Sequence, residues 1–144
     1  MKVDSTDLKI IQILEKNGRT PNNEIAARVS ISEGTVRNRI KKLTDSKFLT
    51  VKGLTNPERW TDKQLMFVLV KLEITKNWKE IAQKVSELET VKSVSMITGR
   101  FDLIIEIFME PHNLINFLTQ DLASVGNISS TESLITIKNF NKWV

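Results

Sequence analysis

The 144-residue chain contains no cysteine, so disulfide bonds and thiolate metal sites are excluded. No apolar run approaches the roughly 18 residues that a membrane-spanning helix needs. The longest candidate, Leu103–Met109, is interrupted by Glu106 and is typical of a buried strand. The first residues also lack the apolar core of a signal peptide. We therefore expect a cytoplasmic protein that has no contact with a membrane and binds no metal.

Histidine is nearly absent as well. The single one, His112, follows Pro111 at the start of a predicted helix. Histidine is the side chain most suited to proton transfer near neutral pH, but at this position we expect a solvated residue rather than a catalytic one. We therefore expect no enzymatic activity and no cofactor.

The positive charge is distributed unevenly. Residues 1–60 contain twelve Lys or Arg against seven Asp or Glu, a net of +5, whereas residues 61–144 contain nine against ten, a net of −1. Most of the excess lies in one stretch, where Asp45 is the single opposing charge: Arg37, Arg39, Lys41, Lys42, Lys47 and Lys52. A local basic patch indicates a polyanionic partner, although a charge run by itself more often marks a solvated helix face.

Apolar periodicity predicts three short helices in the first half. Asp4 and Asp7 stand at the N-cap and N3 positions of the first helix, which extends to about Lys16. Ser32 is the expected N-cap of the third helix, which extends to about Ser46. Only a few residues join the second helix to the third, and this spacing predicts a helix-turn-helix.

A helix that enters the DNA major groove needs small or polar residues near its start and basic residues along its flank. The third predicted helix meets both requirements. Four of its residues are candidates for contacts with base edges: Glu33, Thr35, Arg37 and Asn38. Three further residues are candidates for contacts with phosphates: Lys41, Lys42 and Lys47.

Arg39 is an eighth candidate for a contact with DNA, and both it and Glu33 have a second explanation. Glu33 is equally well explained by a favourable interaction with the helix dipole. Arg39 lies three residues after Val36, closer to the buried side, and fits either a structural ion pair or a phosphate contact from the edge of the helix.

The second half alternates between strand and helix periodicity. The predicted strands are Leu65–Ile74, Val91–Ile97, Asp102–Met109 and Ile128–Ile137, and the predicted helices are Asn77–Glu89 and Pro111–Ser124. This β-α-β-β-α-β order is that of the ferredoxin-like fold. Phe48–Val51 is rich in β-forming residues and predicts a linker strand. We therefore predict an α+β protein: a three-helix winged helix-turn-helix domain with its linker strand over residues 1–58, and a ferredoxin-like domain over residues 59–144.

Gly99 and Asp102 bracket a tight turn between two of the predicted strands. Successive N–H groups in such a turn can form a concave anion site, and a nearby carboxylate can hold an ammonium group. Together they would fit a zwitterionic amino acid. An ordinary hairpin in which Asp102 caps its own turn explains the same residues equally well.

Many residues of the first half resemble the signature of the Lrp/AsnC family, the feast/famine regulators. They are Asp4, Asp7, Ile10, Leu14, Asn17-Gly18-Arg19-Thr20, Glu24-Ile25-Ala26, Ile31-Ser32, Thr35-Val36, Arg39-Ile40 and Leu43. Asn56-Pro57 and Gly99-Arg100-Phe101-Asp102 resemble the family's pattern in the second half, so the resemblance covers essentially the whole chain. Ser30 and Lys47 depart from it, because they stand where glycine is common. Both are expected to need a left-handed backbone.

The resemblance implies a C-terminal domain that responds to an amino acid bound at an interface between dimers. The pocket residues that it implies are Gly99, Phe101 and Asp102. Thr131 and Ser133 share one face of the last predicted strand and could supply hydroxyls from a neighbouring subunit.

We predict a sequence-specific DNA-binding transcription regulator whose partners are double-stranded DNA, a small-molecule effector, and further copies of itself in a homodimer or larger oligomer. Two alternatives stay open. Siroheme decarboxylases resemble the family in fold, but acid–base work on a porphyrin would favour more than one histidine, and such enzymes would not need a basic reading helix. An architectural DNA-binding protein with weak specificity is the other alternative.

Overall fold

The computed structural model describes residues 2–73 and 77–144. They form two compact units, Met1–Gly53 and Leu54–Val144. Each unit has its own apolar core. The predicted end of the first strand at Ile74 lies outside the described residues.

The first unit consists of three helices: α1 (Ser5–Lys16), α2 (Asn22–Val29) and α3 (Glu33–Asp45). Two predicted caps are confirmed. Asp4 and Asp7 form a reciprocal capping box at the start of α1, and the Ser32 hydroxyl accepts a hydrogen bond from the Thr35 amide at 3.2 Å. The apolar side of each helix faces the others, and the shared core contains Ile10, Leu14, Ile25, Ala26 and Val36.

A residue with the predicted left-handed backbone follows both α2 and α3. Ser30 and Lys47 each have φ of 57°. At the end of α3 the Lys47 amide donates to the Thr44 carbonyl at 2.9 Å and the Phe48 amide to the Leu43 carbonyl at 3.0 Å. These bonds satisfy carbonyls that the helix end would otherwise leave unpaired. They also turn the chain, and the strand predicted at Phe48–Val51 does not form.

The second unit is built on a four-stranded antiparallel sheet. Its elements are β1 (Gln64–Leu72), α4 (Trp78–Ser86), β2 (Val91–Met96), β3 (Leu103–Met109), a helical segment over residues 111–125 that we call α5, and β4 (Ile128–Ile135). The strand order in the sheet is β2-β3-β1-β4. The predicted α+β class and β-α-β-β-α-β order are thereby confirmed.

Alternate residues of β1 and β3 form the core of this unit together with α4 and α5. The fully buried side chains include Val68 and Val70 from β1, Ile105 and Ile107 from β3, and Val85 from α4. Register pairs place Val68 opposite Ile105 and Val70 opposite Leu103. The period of two along each strand therefore directs one face of the sheet towards the helices.

The helix predicted at Pro111–Ser124 forms, but its winding is irregular. It begins with a 3-10 turn, Pro111–Asn113, and the segment Phe117–Leu122 is a π-helix. Phe117 and Leu122 are both buried, with exposed fractions of 0% and 1%. Because π-helical hydrogen bonds join residues five apart, this winding directs both side chains into the core.

The end of the chain is bonded to the beginning of the second unit. Thr55 and Val144 exchange backbone hydrogen bonds of 2.8 and 3.0 Å, and Glu58 accepts from the Lys138 ammonium at 2.7 Å and the Asn139 amide at 2.9 Å. Residues 54–58, which the sequence assigned to the first domain, therefore pack with the second unit. The Lys138 and Asn139 hydrogen bonds lower the pKa of Glu58 to about 2.

Replacing Lys47 with glycine is expected to stabilise the protein. A left-handed residue other than glycine carries a strain of about 1–2 kcal/mol, of which the greater freedom of glycine in the unfolded chain offsets roughly 0.5–1 kcal/mol. Chemical denaturation should therefore show a free energy of unfolding raised by up to about 1 kcal/mol in Lys47→Gly. Lys42→Gly, inside α3, is the control and should lower it by about 1 kcal/mol. Equal destabilisation by both variants would contradict the strain at Lys47.

The Glu58 interactions should make stability depend on pH. Since the folded-state pKa of Glu58 lies near 2 and its ordinary value is 4.5, its stabilising effect is complete above about pH 5 and is lost as the pH falls towards 2. We expect wild type to exceed Glu58→Gln in free energy of unfolding at pH 7, and this difference to shrink between pH 5 and 2 in denaturation series. A difference that stays constant over this range would contradict the assignment.

Candidate functional site

The outward face of α3 carries most of the predicted DNA-contacting residues. Val36 and Leu43 are fully buried on its inner side. Six candidates are exposed on the other side: Glu33, Thr35, Arg37, Asn38, Lys41 and Lys42. The apolar spacing of α3 therefore determines which side chains reach solvent, and the polar face follows from burial of the other. Lys47 is also exposed, two residues after the end of α3.

Several of these side chains pair with each other along the helix. Arg37 donates to Glu33 at 2.8 Å, and Lys41 pairs with Asp45. Arg37 and Lys41 stay 66% and 73% exposed. Exposed pairs of this kind are weak. Both cations can therefore exchange their carboxylate for another anion.

Asn38 and Lys42 differ from their neighbours. Over residues 2–73 and 77–144, neither side chain makes a hydrogen bond or ion pair. They line an open depression together with Lys2, which comes from the first residues of the chain. The sequence did not point to Lys2, because it lies far from α3 along the chain and no local spacing connects the two.

Arg39 extends from the edge of this face to the start of α1. Its Nη1 donates to Asp4 Oδ2 and to Asp7 Oδ1, both at 2.7 Å. These hydrogen bonds raise the pKa of Arg39. The pKa of Asp4 is lowered, first by the Asp7 backbone N–H and then by Arg39. Of the two roles considered for Arg39, the structure shows the ion pair.

The turn between β2 and β3 is exposed around its glycine. Gly99 has φ of +118°, and no atom lies within 4 Å of the position where a Cβ would stand. Gly99 and Arg100 are exposed, and Phe101 is partly buried. The Arg100 guanidinium lies 5.3 Å from the centre of the Phe101 ring. The turn thus presents backbone, one cation and one aromatic edge to solvent.

Asp102 is buried, with 5% exposure, and its carboxylate already has partners. It accepts from the Leu72 backbone N–H at 2.8 Å and from the Lys71 ammonium at 3.1 Å. These contacts, the backbone one first, lower its pKa. Asp102 therefore ties the turn to β1 instead of capping its own turn, and a ligand ammonium would share the carboxylate with Lys71.

Thr131 and Ser133 do share one face of β4, as their spacing predicts. They lie opposite Val70 and Val68 of β1. Since β1 separates β4 from β3 in the sheet, these hydroxyls and the Gly99 turn are not on neighbouring strands of one chain.

The described part of the chain has no group of three or more His, Asp or Glu residues placed to hold a metal ion. His112 is 75% exposed and lies 3.1 Å from Glu110. A search of the same residues finds no helix of the length and apolar character required to cross a bilayer.

Comparisons with known proteins agree with this division of the chain. Residues 3–44 match the model of the AsnC-type helix-turn-helix domain, and residues 65–142 match the model of the Lrp/AsnC ligand binding domain. The second match covers the sheet from Leu65 onwards together with both of its helices.

Individual relatives span nearly the full chain. It is 34% identical over 136 residues to the HTH-type transcriptional regulator LysM of Sulfurisphaera tokodaii, covering 94% of this chain and 96% of that protein. It is 31% identical over 140 residues to the regulator FL11 of Pyrococcus furiosus, covering 94% and 90%. The crystal structure of the regulator NMB0573 of Neisseria meningitidis in complex with L-Met superimposes with a TM-score of 0.77 at 27% identity, covering 99% and 94%. The chain is a member of the Lrp/AsnC family of transcription regulators.

Proposed function

We propose that this regulator recognises a specific DNA sequence as a homodimer or larger oligomer and that a bound amino acid modulates the recognition. The helical unit binds DNA, and the sheet unit binds the amino acid and mediates self-association. The observation that carries the proposal is the exposed polar face of α3, where Asn38 and Lys42 have no partner among the described residues. DNA binding also supports a cytoplasmic location.

The side chains of this face suit the two kinds of DNA contact. Arg37 can pair with guanine and Asn38 with adenine, each through two hydrogen bonds. Glu33 and Thr35 stand in the first turn of α3, the part of a recognition helix that contacts base edges. Three lysines named from the sequence are proposed to bind phosphates, and the structure adds a fourth: Lys41, Lys42, Lys47 and Lys2.

The effector is proposed to bind at the turn that contains Gly99. The L-Met complex of the Neisseria relative supports an amino acid as the ligand. Exposed backbone N–H groups of the turn would receive the carboxylate, Phe101 would contact the side chain, and Asp102 would attract the ammonium group in competition with Lys71. Thr131 and Ser133 would reach the ligand from a neighbouring chain.

Variants of α3 should separate base contacts from phosphate contacts. On a site selected from random duplexes, Arg37→Ala and Asn38→Ala should each cost about 1–3 kcal/mol and relax the preference at one position. Lys42→Ala should weaken specific and random duplex alike and reduce the slope of log K against log salt by about 1. Lys84→Ala, an exposed lysine on α4, is the control. Titrations at several salt concentrations measure these quantities.

The same titrations test the proposal as a whole. Wild type should bind the selected site at least about a thousandfold more tightly than random duplex at one salt concentration. Equal affinity for both would favour an architectural protein over a specific regulator.

An amino acid bound at the turn should raise the melting temperature of the wild type, since a ligand stabilises the state that binds it. Asp102→Asn keeps an acceptor for the Leu72 N–H but removes the charge that attracts an ammonium group. We therefore expect thermal melts with individual amino acids to show a shift in wild type that is lost in Asp102→Asn. Asp121→Asn, an exposed carboxylate on α5, should retain it. If the amino acid raises the melting temperature of Asp102→Asn by as much as that of wild type, it binds somewhere other than this turn.

A further inference from the structure

Arg39 joins the middle of α3 to two residues at the start of α1, more than thirty residues away in sequence. Asp4 caps α1 and Asp7 lies in its first turn, whereas Arg39 is in the middle of α3. Asp7 is 8% exposed, Arg39 30% and Asp4 53%. The contact therefore extends from solvent into the interior of the helical unit.

All four carboxylate oxygens of this cluster have a partner. Asp4 Oδ1 accepts from the Asp7 amide at 2.8 Å and Asp7 Oδ2 accepts from the Asp4 amide at 3.1 Å. The two remaining oxygens both accept from Arg39 Nη1. The capping box of α1 and the guanidinium of α3 thus form one closed network of charge-assisted hydrogen bonds, which are directional as well as strong.

The network lies directly beside the DNA-reading face. Thr35, Asn38 and Lys42 line the same depression as Arg39, Asp4 and Asp7. Arg39 follows Asn38 in sequence and lies one helical turn after Thr35. A rotation of α3 about its axis would break the bonds to α1 and would also move these side chains away from their positions.

Apolar packing decides which face of α3 is buried, but it leaves small rotations of the helix about its axis inexpensive. Burial of Val36 and Leu43 keeps α3 against the core, but the hydrophobic effect has no directional preference. A planar guanidinium between two fixed carboxylates does have one. The helix is therefore held by burial and oriented by the ion pairs.

We propose that Arg39 is a positioning residue for DNA recognition: its bonds to Asp4 and Asp7 set the orientation of α3, and it is not a phosphate contact. This inference rests on the proposed role of α3 as the reading helix. It reassigns the one basic residue of α3 whose role the sequence left open.

Arg39→Lys and Arg39→Gln test the two roles against each other. A lysine keeps the charge and would still serve a phosphate, but its side chain is shorter and its ammonium lacks the fixed planar N–H directions with which Nη1 of Arg39 donates to both carboxylates. We expect both variants to lose about tenfold in affinity for the selected site, a loss comparable to one mismatched base pair, without a change in salt slope. If lysine restores wild-type affinity, or if Arg39→Gln reduces the slope by about 1, Arg39 is a phosphate contact and the proposal is wrong.

Asp4→Asn tests the network from the other side and guards against misfolding of the Arg39 variants. Asparagine is as good an N-cap as aspartate, so α1 stays capped while one carboxylate partner of Arg39 is lost. Removing a negative charge should by itself strengthen DNA binding, whereas a disturbed orientation should weaken it at the selected site. Weaker specific binding supports the proposal, and unchanged or tighter specific binding overturns it.

The experiment also separates this inference from the proposed function. Arg59→Gln, an exposed arginine of the second unit, is the control and should bind the selected site like wild type. If wild type itself does not distinguish the selected site from random duplex, the reading role of α3 fails. If wild type distinguishes them and the Arg39 and Asp4 variants do so equally well, only the positioning role fails.

Discussion

The organisation of the helical unit depends on two carboxylates that share one guanidinium. A helix of thirteen residues with one exposed polar face offers few apolar side chains for burial, and in α3 the fully buried ones are Val36 and Leu43. This apolar contact decides which face of α3 is buried, but it leaves small rotations of the helix inexpensive. The Asp4, Asp7 and Arg39 network restricts these rotations at the edge of the face that is proposed to read DNA.

The second unit uses a buried carboxylate for a similar purpose. Asp102 is almost inaccessible and binds the backbone of Leu72 together with the Lys71 ammonium. The turn that precedes it is thereby tied to the neighbouring strand. Buried carboxylates are costly unless they are paired and hydrogen-bonded, and both Asp7 and Asp102 meet that condition. Asp7 therefore holds α3, which is proposed to bind DNA, and Asp102 holds the turn between β2 and β3, which is proposed to bind the amino acid.

Features set by neighbouring residues were predictable from the sequence. The capping box at Asp4, the cap at Ser32 and the left-handed positions at Ser30 and Lys47 are all confirmed. Each depends on contacts within about five residues, so its signal lies in a short window. The order of strands and helices along the second half was also predictable, because a period of two alternates there with helical periodicity.

Features set by distant residues were not predictable. Nothing in the local sequence links Lys2 to Asn38, or Asp102 to the Leu72 amide, since these contacts exist only after the elements pack. The π-helical winding between Phe117 and Leu122 is likewise a response of the helix to the core beneath it. At Phe48–Val51 strand propensity was misleading, because the bonds that close α3 take the Phe48 and Leu49 amides to the Leu43 carbonyl.

The ion pairs of α3 differ in a way that suits a DNA-binding helix. Arg37 and Lys41 pair with carboxylates one turn away on the exposed face, where such pairs are weak and screened by salt. DNA phosphates or bases can therefore replace Glu33 and Asp45 as their partners. Arg39 pairs with the buried Asp7, where losing the partner would leave an uncompensated charge away from water. The exposed cations are thus free to exchange partners on binding, while the partly buried one keeps its partner and holds the helix that carries them.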